Sequence, residues 1–186
     1  MTLLEPTFWP LLLAVVLTGA AAIWDLRTGL IPNHLVGAGA IATIVLSLAI
    51  AAPRGLPGVG GALVSMLAGS VLVSIVPLLL YGMDGIGGGD VKLLAVVGAG
   101  LGPYLGIEAE LYAFMFIVLY APARLLWEGK LIRTLRTSGL LLVRPLVPRH
   151  RRPKPAQPAD LTPFRFGPAI FAGTLAAAVT RFATVA

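Results

Sequence analysis

Apolar residues run through this chain in long blocks rather than in strict alternation. The blocks cover positions 7–24, 34–52, 60–81, 91–105, 107–127 and 163–183. Most are long enough, as helices, to cross about 30 Å of hydrocarbon with some tilt, the fourth being the shortest. Breaks between them carry turn chemistry: Thr28-Gly29 with Pro32-Asn33, then Pro53-Arg54-Gly55, the glycine-rich stretch 82–89, and Gly102-Pro103. The pattern predicts an all-α fold, a polytopic transmembrane bundle of about six helices. It forms a single membrane-embedded domain over residues 1–186. Gly61, Gly69, Ser70, Gly98 and Gly100 are small residues that let helix backbones approach closely in lipid.

Composition strengthens this reading. Of 186 residues, 58% are hydrophobic and 12% charged, against about 25% charged in soluble domains. So little charge cannot clothe a water-facing surface. The first block has no basic residue before it, since Glu5 is the only charge ahead of Asp25. A cleaved secretion signal would carry a basic leader, so this block reads as a retained span.

The net charge of +6 comes from one place. Ten of the fourteen Lys and Arg lie at positions 124–165, which marks a topology signal and contact with anionic headgroups rather than nucleic-acid binding. Residues 128–162 form a basic, proline-rich loop. Its segment 130–143 is an amphipathic surface helix in the making and 149–159 a linker. Counting spans places Arg27, Lys92 and the basic block on one face, and only Arg54 and Arg181 on the other. Positive charge marks the cytoplasmic side, so the N-terminus is expected outside.

Candidate chemistry is confined to few residues. With no cysteine, thiolate metal sites and cysteine nucleophiles are excluded. His34 and His150 are far apart and read as solvated loop residues, so neither metal nor cofactor is expected. Among the acids, Glu5, Glu108 and Glu110 fall at external ends or loops, Glu128 and Asp160 sit among basic residues, and Asp84 reads as a turn residue. Asp25 and Asp90 stand apart. Asp25 closes the first span after Trp24, and Asp90 follows Gly87-Gly88-Gly89 at the start of the fourth. Span parity brings both to one face at the membrane edge, where an acid facing lipid costs a few kcal/mol and so turns to a hydrated pocket. Two carboxylates sharing a pocket do not both ionise easily. The ionised one can activate water while the neutral one hydrogen-bonds a scissile carbonyl. Three glycines permit close approach of another backbone. The plainer roles are an N-terminal helix cap for Asp90 and a local ion pair with Arg27 for Asp25.

These segments resemble those of prepilin peptidases, the Gly-x-Gly-Asp membrane aspartyl proteases. Gly87-Gly88-Gly89-Asp90 fits that motif, and Val91-Lys92-Leu93-Leu94-Ala95 with Gly98 continues it. Asp25-Leu26-Arg27-Thr28-Gly29-Leu30-Ile31-Pro32-Asn33 is similar to the family's first aspartate segment, and Pro163-Phe164-Arg165-Phe166-Gly167-Pro168-Ala169-Ile170 is a weaker third match. The resemblance implies a catalytic pair of Asp25 and Asp90, a loop shaped by Gly87, Gly88 and Gly89, and Lys92 at the motif's lysine. It further implies cleavage of the leader of a type IV prepilin or pseudopilin at the cytoplasmic face of the plasma membrane, the substrate's apolar helix docking on the bundle beside membrane lipid, within reach of pilus assembly machinery. Lacking Cys-x-x-Cys and a long N-terminal region, the chain resembles the short peptidase-only branch linked to Flp-type pili, with no methyltransferase activity. Presenilin-like proteases share Gly-x-Gly-Asp but pair it with Tyr-Asp, where this chain has Trp24-Asp25. Two other classes compete: a small ion or solute transporter component using intramembrane aspartates, and a non-catalytic pilus assembly subunit. Internal repeats, common in transporters, are not found.

Overall fold

The computed structural model describes residues 7–83, 85–127, 129 and 165–185. The basic loop expected at 128–162 lies outside the described residues apart from Gly129, as do Glu5, Asp84 and His150. Among the described residues the regular structure is entirely helical: α1 (Phe8–Thr28), α2 (Asn33–Ala51), α3 (Gly55–Gly82), α4 (Gly88–Trp127) and α5 (Gly167–Val185), with a single 3₁₀ turn, Ala52–Arg54. Three stretches are long and apolar enough to cross a membrane: Phe8–Thr28, Asn33–Gly82 and Gly88–Ala123. Gly167–Ala183 is a shorter apolar helix. The chain is thus a helical membrane protein. By contacts it divides into two compact units, 1–116 with 165–186, and 117–164. Of the second, the described part is the end of α4 followed by Gly129.

Local chemistry sets the helix ends. Gly29 adopts φ 73 and donates its N–H to the Asp25 carbonyl at 2.8 Å, a left-handed stop that only glycine takes without strain. Pro32 then precedes α2 in an extended conformation. Within α4, Gly102 has φ 75 and ψ 179, which breaks the helix between a first arm, 88–101, and a second, 103–127. The expected Gly102-Pro103 break is therefore real, and the second arm starts at once. As a result Glu108 and Glu110, expected at external ends or loops, lie in helix. Glu108 accepts a hydrogen bond from Thr180 Oγ1 at 3.1 Å, and Glu110 is buried.

Small residues carry the packing. In lipid, association rests on close van der Waals fit rather than on water expulsion. A Cβ at Gly69 would overlap the carbonyl of Gly98, so α3 and the first arm of α4 meet backbone to backbone. Gly39 fits against Leu17, Gly100 against Thr43, Gly19 against Phe171, and Gly173 against the backbone of Ala109 and Ala113. α1 packs chiefly on α5 and also on α2. Leu11, Val73, Leu93, Val97 and Ile170 are fully enclosed, whereas Val16, Ile41, Val64, Leu67 and Val71 point outward as lipid-facing side chains. Buried Thr18 and Thr174 return their hydroxyls to carbonyls one turn back, Ala14 and Ile170, at 2.8 Å each, so neither of these two enters the bundle unpaired.

Candidate active site

Asp25 lies in the last turn of α1, because the helix runs on to Thr28 rather than ending at Trp24. Its side chain is turned inward, 5% exposed. The partner of its Oδ2 is the backbone N–H of Gly167, at 3.0 Å, rather than Arg27. Gly167 opens α5, so the carboxylate faces the positive end of a helix, which favours negative charge. The approach depends on the missing side chain: a Cβ at Gly167 would stand 2.9 Å from both Cβ and Oδ2 of Asp25. Phe166, buried beside it, packs against Phe114 with ring centroids 5.5 Å apart and the planes tilted by 44°, which anchors this turn.

Asp90 is 8% exposed. It is the third residue of α4, not the residue before the helix, and its Oδ2 reaches back to accept the Gly87 N–H at 3.1 Å. That is half of a capping box, in which an acid at the third position satisfies the capping residue's own donor. The capping role suggested by sequence thus exists at a different register. It uses one lone pair and leaves capacity on the carboxylate.

The three sequence segments converge here. Gly89 lies against Ile31, since a Cβ on it would come within 3.0 Å of that side chain. Gly88 is covered by the ring of Tyr81. Lys92, exposed, donates from Nζ to Asn33 Oδ1 at 2.9 Å, tying the first turn of α4 to the first residue of α2. The two acids therefore lie at one end of the bundle, at the N-termini of α4 and α5 and the C-terminus of α1. The family model described as the type IV leader peptidase family matches residues 11–122.

The chain belongs to the type IV leader peptidase family. The match spans more than half of the chain and includes Asp25, Asp90 and the glycine loop. No curated protein and no solved structure matches the chain. Gly167 lies beyond the stretch that the leader peptidase model covers, yet its N–H holds Asp25. Sequence reasoning did not single it out. The only available signal was its place in the weak third segment, before Pro168.

Proposed function

We propose that this peptidase is an aspartyl endopeptidase that removes the leader of a type IV prepilin-like precursor at the cytoplasmic face of the plasma membrane, with Asp25 and Asp90 as its catalytic pair. The observation that carries the reading is that two buried carboxylates from distant segments lie at one end of the bundle, Asp25 held by the Gly167 N–H and Asp90 by the Gly87 N–H, with the segments that bear them joined through Gly89 on Ile31 and Lys92 on Asn33.

The chemistry follows from one proton held between two carboxyl groups. The ionised carboxylate removes a proton from water as its oxygen attacks the scissile carbonyl carbon, while the protonated carboxyl gives its proton to the carbonyl oxygen. The resulting gem-diol collapses when its C–N bond breaks. A proton passes to the departing nitrogen, leaving a carboxyl and an amino terminus. The glycine loop 87–89 offers backbone without side chains for an extended leader to approach. The substrate's apolar helix then lies against the outward-facing side chains of the bundle.

Six crossings account for the geometry. A straight helix the length of α4 would span about 60 Å, twice the hydrocarbon thickness; in this reading its two arms, divided at Gly102, are separate crossings, the first a short one of about 21 Å. With α1, α2, α3 and α5 the total is six. Asp25 and Asp90 then share one face with Arg27 and Lys92, which we assign to the cytoplasm on positive-inside bias. The short Flp-type branch, without methyltransferase activity, suits a chain of this composition.

The test is processing of a prepilin-like precursor by the full chain in proteoliposomes, with N-terminal sequencing of the product. Asp25→Asn and Asp90→Asn should each slow cleavage by about 10³-fold, the scale of acid–base catalysis. Ion flux through the same vesicles, with the precursor left intact, would replace this reading with a transporter.

A further inference from the structure

The end of the bundle away from the aspartates holds a cavity of about 490 Å³. It begins near Pro10 of α1, about 22 Å along the helix from Asp25 at 1.5 Å per residue. Its walls include Ser47, Ile50, Ser65, Met66 and the Gly102 break of α4. The size falls in the range of ligand sites, about 300–1,000 Å³.

Its chemistry is lopsided. Arg54, the residue before α3, is the one charged side chain among the described lining residues, and none of those is acidic. The arginine stem lies over Gly58, where a Cβ would overlap it, so the backbone there is shaped around Arg54. Arg54 is exposed, and Ser47 and Ser65 add hydroxyls to the same lining. A single cation over an apolar recess suits an amphiphile with one anionic head and a hydrocarbon tail. Arginine binds phosphate oxygens through paired N–H groups, while Ile50 and Met66 offer nothing to a free anion.

We propose that this cavity is a binding site for an anionic phospholipid, its phosphate on Arg54 and part of an acyl chain against Ile50 and Met66. The occupant is a lipid rather than soluble phosphate because the greater part of the recess is apolar and the helices forming it are embedded in lipid. A zwitterionic lipid brings an ammonium that offsets the attraction of Arg54, so the site discriminates by headgroup charge.

The experiment uses the purified full chain in neutral detergent, with native mass spectrometry and thermal melting after addition of phosphatidylglycerol, phosphatidylcholine or inorganic phosphate. Phosphatidylglycerol should be retained about fivefold over phosphatidylcholine, the effect of one basic residue near an anionic headgroup, and Arg54→Gln should bring the two level. Gly61→Leu separates occupancy from folding: Gly61 lines the cavity and a Cβ there meets nothing within 4 Å. The leucine should fill the recess, preserve the melting temperature and abolish lipid retention. Equal retention of the two lipids by the wild type, undiminished retention by Gly61→Leu, or stabilisation by phosphate alone equal to that by phosphatidylglycerol overturns the assignment.

Discussion

Replacing Gly167 with alanine puts a methyl group where Asp25 already stands. The new carbon would lie 2.9 Å from Asp25 Cβ and Oδ2 and 3.3 Å from Cγ, whereas carbon contacts settle at about 3.5–4.0 Å. Rotating the carboxylate leaves Asp25 Cβ where it is, so α5 must retreat, by somewhat under about 1 Å. Gly167 is not among the glycines with positive φ, so alanine can keep the backbone and the effect is steric. The 3.0 Å hydrogen bond from Gly167 N–H stretches or breaks, and a bond to a charged acceptor contributes about 1.5–3 kcal/mol. Misplacement of a catalytic group by about 1 Å costs about 10²-fold in rate. Both lines lead to a fall in kcat of about 10²-fold, with a stability loss within the usual overpacking range of about 1–3 kcal/mol. The assay is cleavage of a prepilin-like precursor in vesicles, beside a melting curve. Gly37→Ala is the control, since a Cβ there meets nothing within 4 Å. It should keep full activity and gain up to about 1 kcal/mol of helix stability. A folded Gly167→Ala protein that cleaves within about threefold of the wild type, far short of that loss, would refute the positioning argument.

Other consequences are as direct. Gly69→Ala drives a methyl into the Gly98 carbonyl and should cost about 1–3 kcal/mol or more, read as a lower melting temperature; an unchanged value would mean that α3 and α4 are further apart. Lys92→Met and Asn33→Ala, made singly and together, should show a coupling of about 0.5–1.5 kcal/mol in stability, and additivity would contradict the 2.9 Å bond between them. Glu110 is 5% exposed and its Oε1 has no hydrogen-bond partner among the described residues. Glu110→Met should therefore raise the melting temperature by relieving a cost of about 1–3 kcal/mol; a drop would reveal a partner acquired in the membrane.

Much of the fold was legible because lipid imposes few options. A chain with this little charge must satisfy its backbone internally, and long apolar blocks leave only helices. The same constraint explains where the block boundaries slipped. Sequence punctuation placed the start of the third span at Gly60, yet α3 begins at Gly55 and runs through Gly58, Gly60 and Gly61. Glycine weakens a helix in water, but a lipid-facing loop would leave N–H and C=O groups unpaired. Gly69, Gly98 and Gly100 do mark close approaches, whereas Gly61 faces open space. Span parity and the Gly-Gly-Gly-Asp run led to Asp25 and Asp90. The Gly167 contact was hidden for a physical reason. Its donor is a backbone N–H, which every residue but proline carries, and only tertiary packing shows that a Cβ is forbidden. The burial of Glu110 was hidden in a similar way: an acid three residues into the expected span 107–127 reads as its external end, and only tertiary packing shows that the side chain is enclosed.

The claim that the two aspartates work as one unit is tested most directly by the kinetics of Asp25→Asn, Asp90→Asn and the double variant on one precursor. Groups that act together are strongly non-additive. Each single change should lower kcat by about 10³-fold, and the double variant should be no slower than the worse single one. Multiplying losses in the double variant, or wild-type turnover in either single one, would contradict the paired mechanism.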